Sequence, residues 1–586
     1  MLPSVALAQT VDTEWLRLLH YQGNGTHYKS LVENESFFLA PDGRNNPQAE
    51  LEKTIELFAN EKNEKKCTFP ARFMYLQKKG LVKGNLKHCN EYQKFLADVQ
   101  PKAVTMLFTN AYMSNPSSLF GHTLFRIDTK RKGTQLLAHG ANFGADTGDE
   151  NGVLYALKGL WGGYYGTFGV HPYYDVINLY NNIENRDIWE YQLNFDEKEL
   201  HLFTAHMWEM QNAKIKYYFA SKNCSYVLLL MLEAVKPELN ISNEFEFYTV
   251  PLATLKAVDA VPNFITHTNY RPSRQSKLKY RAEQMNKKQY QAFIDIIKHD
   301  EVNLNALSDD EKADVLETAY QYVQYKYVER DLELKDYRKK SFKLLRERSK
   351  IANQKQYFDE LKHGQNPIEA HEAKQISLMF GAQNGKEFQE ISFKPVYNSL
   401  MDDSYGLLRG AEINLLETKI RHETHKVLLQ ELNLLQIKSI SGANEMFSPL
   451  SYDIKVAYEE IFDPKKDENK GVMLFHVGGG QSYDVTKNLS LYVLTEPLAA
   501  YSGGFRDNGY LGIGFKGGMY YNKDKIRFHL NAMHTVATNY IARGQTYELE
   551  WAYGMTRNVS IYAKYKLFNS EYHDNEEISA GIKYNF

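Results

Sequence analysis

Cysteine is scarce in this chain: three thiols in 586 residues, Cys67, Cys89 and Cys224, too few to staple a chain of this length or to build a four-thiolate zinc site. Charge of one sign is also missing. Lys plus Arg number 70 against 72 Asp plus Glu, a formal net charge of -2, which gives no bulk electrostatic basis for a nucleic-acid partner. No uncharged apolar run reaches the roughly 18 to 20 residues of a membrane-spanning helix. That excludes a helical span but not a β-barrel, whose strands alternate and leave average hydropathy polar. His20, His27, His201, His206 and His267 are scattered without the carboxylate partners or spacing of a metal site, so neither metal nor other cofactor is expected. Gly478–Gly480 lies in a strand-like stretch, away from any helix start, and is not a phosphate loop.

What is abundant is aromatic: Tyr 42 and Phe 31, thickening toward the C-terminus. The chain opens with Ala6-Leu7-Ala8, the A-x-A form of a signal-peptidase site, though without charged or long apolar regions; residues 1–8 read as the remnant of a secretory signal. In an exported chain, Cys67 and Cys89, 22 residues apart in a polar stretch, suit a disulfide and leave Cys224 as a single thiol.

The length asks for at least two folding units. Residues 9–100 show apolar residues at helical spacing and form a helical N-terminal subdomain. Residues 101–245 turn to short β runs, Gly-rich turns and one apolar helix. Residues 246–370 are a helical connector, dense in Lys, Glu, Gln and Tyr, in which Ser308 followed by Glu311 reads as a capping box. From 371 to 586 the period switches to two: Val559, Ile561, Ala563, Tyr565 and Leu567 alternate with Ser560, Tyr562, Lys564 and Lys566.

A soluble sandwich alternates in the same way. Segments near the about 9 to 11 residues of a tilted spanning strand, with aromatics at their ends, favour lipid. So does a final strand, Gly581–Phe586, that ends on an aromatic. The C-terminal region is therefore expected to be an antiparallel transmembrane β-barrel of about twelve strands.

The chemistry concentrates in two runs. Asn115-Pro-Ser-Ser-Leu-Phe-Gly-His122 is a turn leading into a strand, so His122 stands at a strand start beside a glycine. About a hundred residues on, Ser221-Lys-Asn-Cys-Ser-Tyr226 precedes an apolar helix. Asn223 is its N-cap, which puts Cys224 in the first turn, where unsatisfied N–H groups and the helix dipole favour a thiolate. With His122 as proton shuttle, such a thiolate attacks esters and amides. A cysteine opening an apolar helix is, in an arbitrary protein, more often a small core residue. Here a hairpin turning at Lys130–Gly133 returns Asn142 alongside His122, with His139 as the alternative orienting residue. A one-residue slip exchanges the two faces of that strand.

The runs Asn115–Asp128, Gly140–Ala145, Tyr180–Trp189 and Asn223–Tyr226 resemble the Bacteroides-type lipoprotein N-acyltransferase (Lnb) periplasmic domain family, itself similar to circularly permuted papain-like (NlpC/P60) enzymes in which His precedes Cys. Tyr270–Ser273 and a C-terminal barrel also fit that family's layout. The resemblance implies an α+β fold, with a permuted papain-like periplasmic domain carrying helical additions ahead of the outer-membrane barrel. It makes Cys224 and His122 the catalytic pair, with the motif residue Asn142 as the third catalytic member, and Ser117, Ser118, Arg126, Asn223 and Tyr226 motif or substrate-binding residues. It further implies ping-pong transfer of an acyl chain from a membrane phospholipid, through a Cys224 thioester, to the N-terminal amine of a lipoprotein. Two alternatives stand beside it: a Cys–His hydrolase of peptidoglycan or lipid, and a non-enzymatic scaffold or export barrel, indifferent to loss of Cys224.

Overall fold

The computed structural model describes residues 11–23, 25, 27–111, 120–133, 135–146, 158–159, 161–245, 247–352, 361, 363–463, 465–466, 468–502, 509–572 and 574–586, Tyr397 by its backbone alone. The signal remnant 1–8 and both Ser117 and Ser118 lie outside the described residues. The chain divides into two compact units. The first is Met1–Glu283 with Tyr325–Glu333 and Asp359–His363; the second is Gln284–Gln324, Leu334–Phe358 and Gly364–Phe586.

The first unit opens with the short helix Thr13–Leu18 and a hairpin of β1 (Tyr21–Gly23) and β2 (Tyr28–Ser30). The helices Pro47–Ala59, Lys65–Thr68, Pro70–Lys78 and Asn90–Val99 follow. Cys67 and Cys89 are joined by a disulfide that ties the second of these to the N-cap of the last.

Its centre is a seven-stranded antiparallel sheet of β3 (Pro101–Thr109), β4 (His122–Thr129), β5 (His139–Ala145), β6 (Tyr164–Pro172), β7 (Ile188–Leu193), β8 (Ile215–Tyr217) and β9 (Ile265–Arg271), in the order β8-β6-β5-β4-β3-β7-β9.

Side chains alternate across β4, and each set finds its own cover. Phe125 meets Phe203 of the helix Glu197–Met210 edge-on at 5.1 Å. That helix starts on a complete capping box, Asp196 with Glu199. On the same side the helix Cys224–Val235 is buried at every residue, which its nearly unbroken apolar sequence requires. On the other side Leu124 joins Leu107, Ala138, Tyr173, Val176, Ile177, Tyr180 and Ile188 beneath the segment 173–183. Arg126, also on that side, ion-pairs with Asp128 and with Glu190, each at 2.6 Å. Glu190 further holds Arg271 at 3.0 Å and accepts from the Tyr173 hydroxyl at 2.8 Å. Burial opposes ionisation of Glu190, but Arg126 and then Arg271 outweigh it and hold its carboxyl down to about 2.

The second unit holds the helix Lys287–His299, most of Asp309–Val328, and Leu334–Ser349. Ser308 and Glu311 form the reciprocal cap expected of them: Ser308 N–H donates to the Glu311 carboxylate at 2.8 Å, and Glu311 N–H to the Ser308 hydroxyl at 3.3 Å. Beyond these helices run β10 (Gln375–Gln383), β11 (Lys386–Lys394), β12 (Val396–Asn398), β13 (Ala411–Glu423), β14 (Lys426–Ser439), β15 (Gly442–Ala443), β16 (Ser451–Asp463), β17 (Glu468–Thr486), β18 (Leu489–Tyr501), β19 (Gly509–Lys523), β20 (Ile526–Ala537), β21 (Gly544–Gly554), β22 (Val559–Asn569) and β23 (Asn575–Asn585).

Apart from the short β12 and β15, these are twelve antiparallel strands in a closed ring, with β23 on β10 and β11 on β13. Closure leaves no unpaired edge. Ile376, Leu378, Phe380, Ile561, Ile578 and Ile582 face outward and are exposed, while Ser377, Met379, Ser560 and Tyr562 face inward and are buried.

The interior is crossed by ion pairs, including Arg421 to Glu390 at 2.9 Å and to Glu577 at 3.0 Å, and Lys455 to Glu431 at 2.7 Å. Leu400 and Met401, between β12 and β13, are buried among Met379, Tyr492, Tyr520 and Tyr562. The Tyr520 hydroxyl donates to Leu400 O at 3.2 Å.

Candidate active site

Asn223 caps the helix Cys224–Val235: its side-chain oxygen accepts from Ser225 N–H at 3.1 Å and from Tyr226 N–H at 3.4 Å. Its amide donates to Phe219 O at 3.0 Å and to Thr249 O at 2.8 Å, so donors and acceptor are both used. The cap thereby fixes the first turn, and Cys224 is a free, buried thiol within it. Tyr226 accepts a hydrogen bond from Gln22 of β1 at 2.6 Å, which places it as a support of that turn.

His122 begins β4, and Gly121 before it has φ of +84°, with Thr109 O only 2.9 Å from where a Cβ would stand. A side chain there would be both strained and crowded. The His122 imidazole and the Cys224 thiol act on each other's titration. The imidazole Nε2 is 2.7 Å from Asn142 Oδ1. Burial of Cys224 pushes its thiol up, but the His122 charge and hydrogen bond, with the Thr123 backbone N–H, outweigh this and bring it down from 9.0 to about 6. Burial likewise opposes the imidazolium, and the Cys224 charge and hydrogen bond, helped by Asn142, reverse it, so His122 is raised above 6.5. The Thr123 hydroxyl is 4.0 Å from the sulfur.

Asn142 and His139 are separated by the register. β4 pairs with β5 through Phe125–Ala141, Arg126–Gly140 and Ile127–His139, and continuing it sets Asn142 diagonally from His122 on one face. His139 lies on the other face and turns to Asp98 Oδ2 at 3.1 Å.

Two residues that local spacing did not single out complete the surroundings. Tyr180 lies against the imidazole with ring centroids 5.5 Å apart, and the Arg186 guanidinium sits 5.3 Å over the same phenol ring. Arg186 is buried and donates to Asn110 O at 2.7 Å and to Thr109 O at 3.2 Å, at the end of β3 opposite His122. Both residues fall within Tyr180–Trp189, one of the runs that carry the resemblance, and that was their one signal in the sequence. Arg126 is remote from the thiol and belongs to the Glu190 network. The described residues that could group around an ion elsewhere are the disulfide pair with His88, and Asp453, His476 and Glu496 in the barrel. In the latter group Lys516 already pairs with Glu496 at 2.6 Å.

A closed barrel with an apolar exterior, preceded by an α/β domain, defines an outer-membrane protein with a periplasmic domain. Residues 91–260 match the Lnb N-terminal periplasmic domain, and a closed C-terminal barrel follows them in the chain. Residues 7–79, 268–359 and 364–585 match three domains of unknown function, DUF7843, DUF7842 and DUF7840.

No curated protein matches the chain. Among solved structures, the KdgM porin in complex with disordered oligogalacturonate is similar at 11% identity over 36% of this chain and 99% of its own, with TM-score 0.23. The NanC porin is similar at 10% over 36% and 100%, TM-score 0.25. Omp33 of Acinetobacter baumannii is similar at 9% over 37% and 100%, TM-score 0.21.

Proposed function

We propose that this protein is an outer-membrane acyltransferase that moves an acyl chain from a phospholipid to the N-terminal amine of a lipoprotein through a thioester on Cys224. The observation that carries the reading is the Cys224–His122 pair, with the thiol lowered to about 6 and the imidazole held by Asn142 at 2.7 Å. Near neutral pH such a pair is a thiolate beside an imidazolium, a nucleophile with its proton donor already in place.

The Cys224 sulfur attacks the ester carbonyl carbon. A C–S bond forms, the ester C–O bond breaks, and His122 gives its proton to the departing oxygen, releasing a lysophospholipid. The lipoprotein α-amine then attacks the thioester carbonyl; a C–N bond forms, C–S breaks, and the amine proton passes to His122. The oxyanion of each step has the Cys224 N–H at the helix start as one donor. Asn142 orients the ring and does not react. A permuted papain-like arrangement, with His ahead of Cys in the chain, agrees with this order of roles.

The test is intact-protein mass spectrometry of the purified full chain incubated with phospholipid and no acceptor. An adduct of one fatty-acyl chain on Cys224, removed by hydroxylamine and missing from Cys224→Ser, is the expected result. Release of free fatty acid without transfer to an added lipopeptide would instead make the protein a hydrolase. No adduct in any condition would remove the thiol mechanism.

A further inference from the structure

Two residues before the proposed nucleophile stands Lys222, half-buried, and among the described residues its ammonium has no carboxylate or other hydrogen-bond partner. Its neighbours are mostly cationic as well. Lys216 is exposed on β8 and Lys29 on β2. The segment after β2 lies along β8 through the Val32–Ile215 bridge and a Glu33 N–H to Lys214 O bond of 2.8 Å. Tyr218 N–H donates to Lys222 O at 3.3 Å and folds Lys222 back toward the end of β8. The nearby carboxylate, Glu33, is engaged by Arg44 at 2.8 Å. Burial lowers the Lys222 ammonium foremost; Glu33 offsets this in part, and Lys29, Arg44 and Lys216 lower it further. A half-buried cation among cations is costly unless an anion joins it.

A second feature borders the same strip of chain. Trp161 is 75% exposed and Phe247 89% exposed. Both belong to loops bonded to residues 219–223: Phe219 N–H donates to Gly159 O at 2.9 Å, Thr249 N–H to Ala220 O at 2.8 Å, and the Asn223 amide to Thr249 O at 2.8 Å. Tyr165, opposite Lys216 in the β6–β8 pairing, is also exposed. Exposed Trp, Phe and Tyr beside lysines are the residue types that meet a lipid headgroup and the chains beneath it.

We infer that Lys222, Lys216 and Lys29 form a binding site for the phosphate of a glycerophospholipid, with Trp161 and Phe247 against its acyl chains and the ester directed to Cys224. The inference rests on the acyl-transfer reading, to which it adds the residues that hold the donor's headgroup. A free phosphate would use the lysines and ignore the aromatic rim.

The experiment uses full-length Cys224→Ser protein in a phosphate-free glycoside detergent, with a phosphatidylglycerol whose acyl chain carries a diazirine. Crosslinks are mapped by peptide. Labelling of the peptides holding Trp161 and Phe247 is expected, and it should fall about tenfold in the Lys216→Gln/Lys222→Gln double variant. Labelling of barrel peptides should not change, and Lys222→Arg should retain the signal. The site is overturned by undiminished labelling in the Gln double variant, by loss in Lys222→Arg, or by equal labelling with the phosphate-free diacylglycerol. Displacement by an equal concentration of inorganic phosphate would make it a free-phosphate site and overturn the lipid assignment. Because the Cys224→Ser protein forms no thioester, labelling as expected in a protein whose wild-type form never acylates would remove the transfer reading and leave the headgroup site standing.

Discussion

Cys224 owes its proposed reactivity to three neighbours that act in the same direction against burial: the His122 ring, the Thr123 backbone N–H and the helix start that Asn223 caps. The thiolate should therefore be present above about pH 6, so the rate of alkylation by a small electrophile should rise with pH through an inflection near about 6. His122→Ala removes the largest opposing influence, and the inflection should move up toward the ordinary 9.0; an inflection that stays put would contradict the pairing. Asn142→Ala leaves both reacting groups but frees the ring, so activity should fall about 10- to 100-fold without being abolished. Loss as complete as in Cys224→Ser would assign Asn142 a different part.

Cys224, His122 and Asn142 were legible because helix-capping chemistry and a hairpin turn are local, and each residue sits within a few positions of its signal. Tyr180 and Arg186 had only the run that carries the resemblance as a signal, since their partners are brought by distant segments. Arg126 stood out in the sequence, yet its partners Glu190 and Arg271 come from β7 and β9, which strand spacing alone does not pair.

At the scale of elements, period-two alternation placed the barrel strands and their outward faces because each strand must satisfy lipid on one side and lumen on the other. Ile561 faces outward on β22. Ile561→Lys should cost about 2 to 4 kcal/mol if that position is near the bilayer midplane, as read by urea unfolding from vesicles; a change within about 0.5 kcal/mol would contradict a lipid-facing site. Alternation was silent about the inward-turned residues Leu400 and Met401, whose burial depends on Tyr492, Tyr520 and Tyr562 from three other strands. The β1–β2 hairpin was likewise hidden, as it is three residues per strand within a stretch that otherwise reads as helical. The Cys67–Cys89 bridge closes a short loop, and Cys67→Ser/Cys89→Ser should lower the stability of the periplasmic domain by about 3 kcal/mol in denaturant titration. Equal stability in reduced and oxidised protein would show that the bridge carries none of it.

For the whole molecule, the same barrel that gives a membrane location has an interior crossed by side-chain hydrogen bonds and ion pairs. Gln383 on β10 and Asn469 on β17 exchange hydrogen bonds of 3.3 and 3.2 Å, Arg421 ties three strands together, and charged side chains line a cavity of about 240 Å³. Full-length protein in a planar bilayer should show no steady conductance, unlike an open porin, whereas Arg421→Ala, which unpairs Glu390 and Glu577, should admit transient openings. Stable porin-like steps from the wild type would contradict a filled lumen.

The central claim is transfer from phospholipid to lipoprotein amine by Cys224. It is tested most directly by mass spectrometry of lipoprotein N-termini from cells that contain the wild-type chain, the Cys224→Ser chain or neither. The account predicts N-acylated termini with the wild type alone, and free amines with Cys224→Ser despite equal amounts of folded protein in the outer membrane. N-acylated termini at wild-type levels in cells carrying only Cys224→Ser would contradict it.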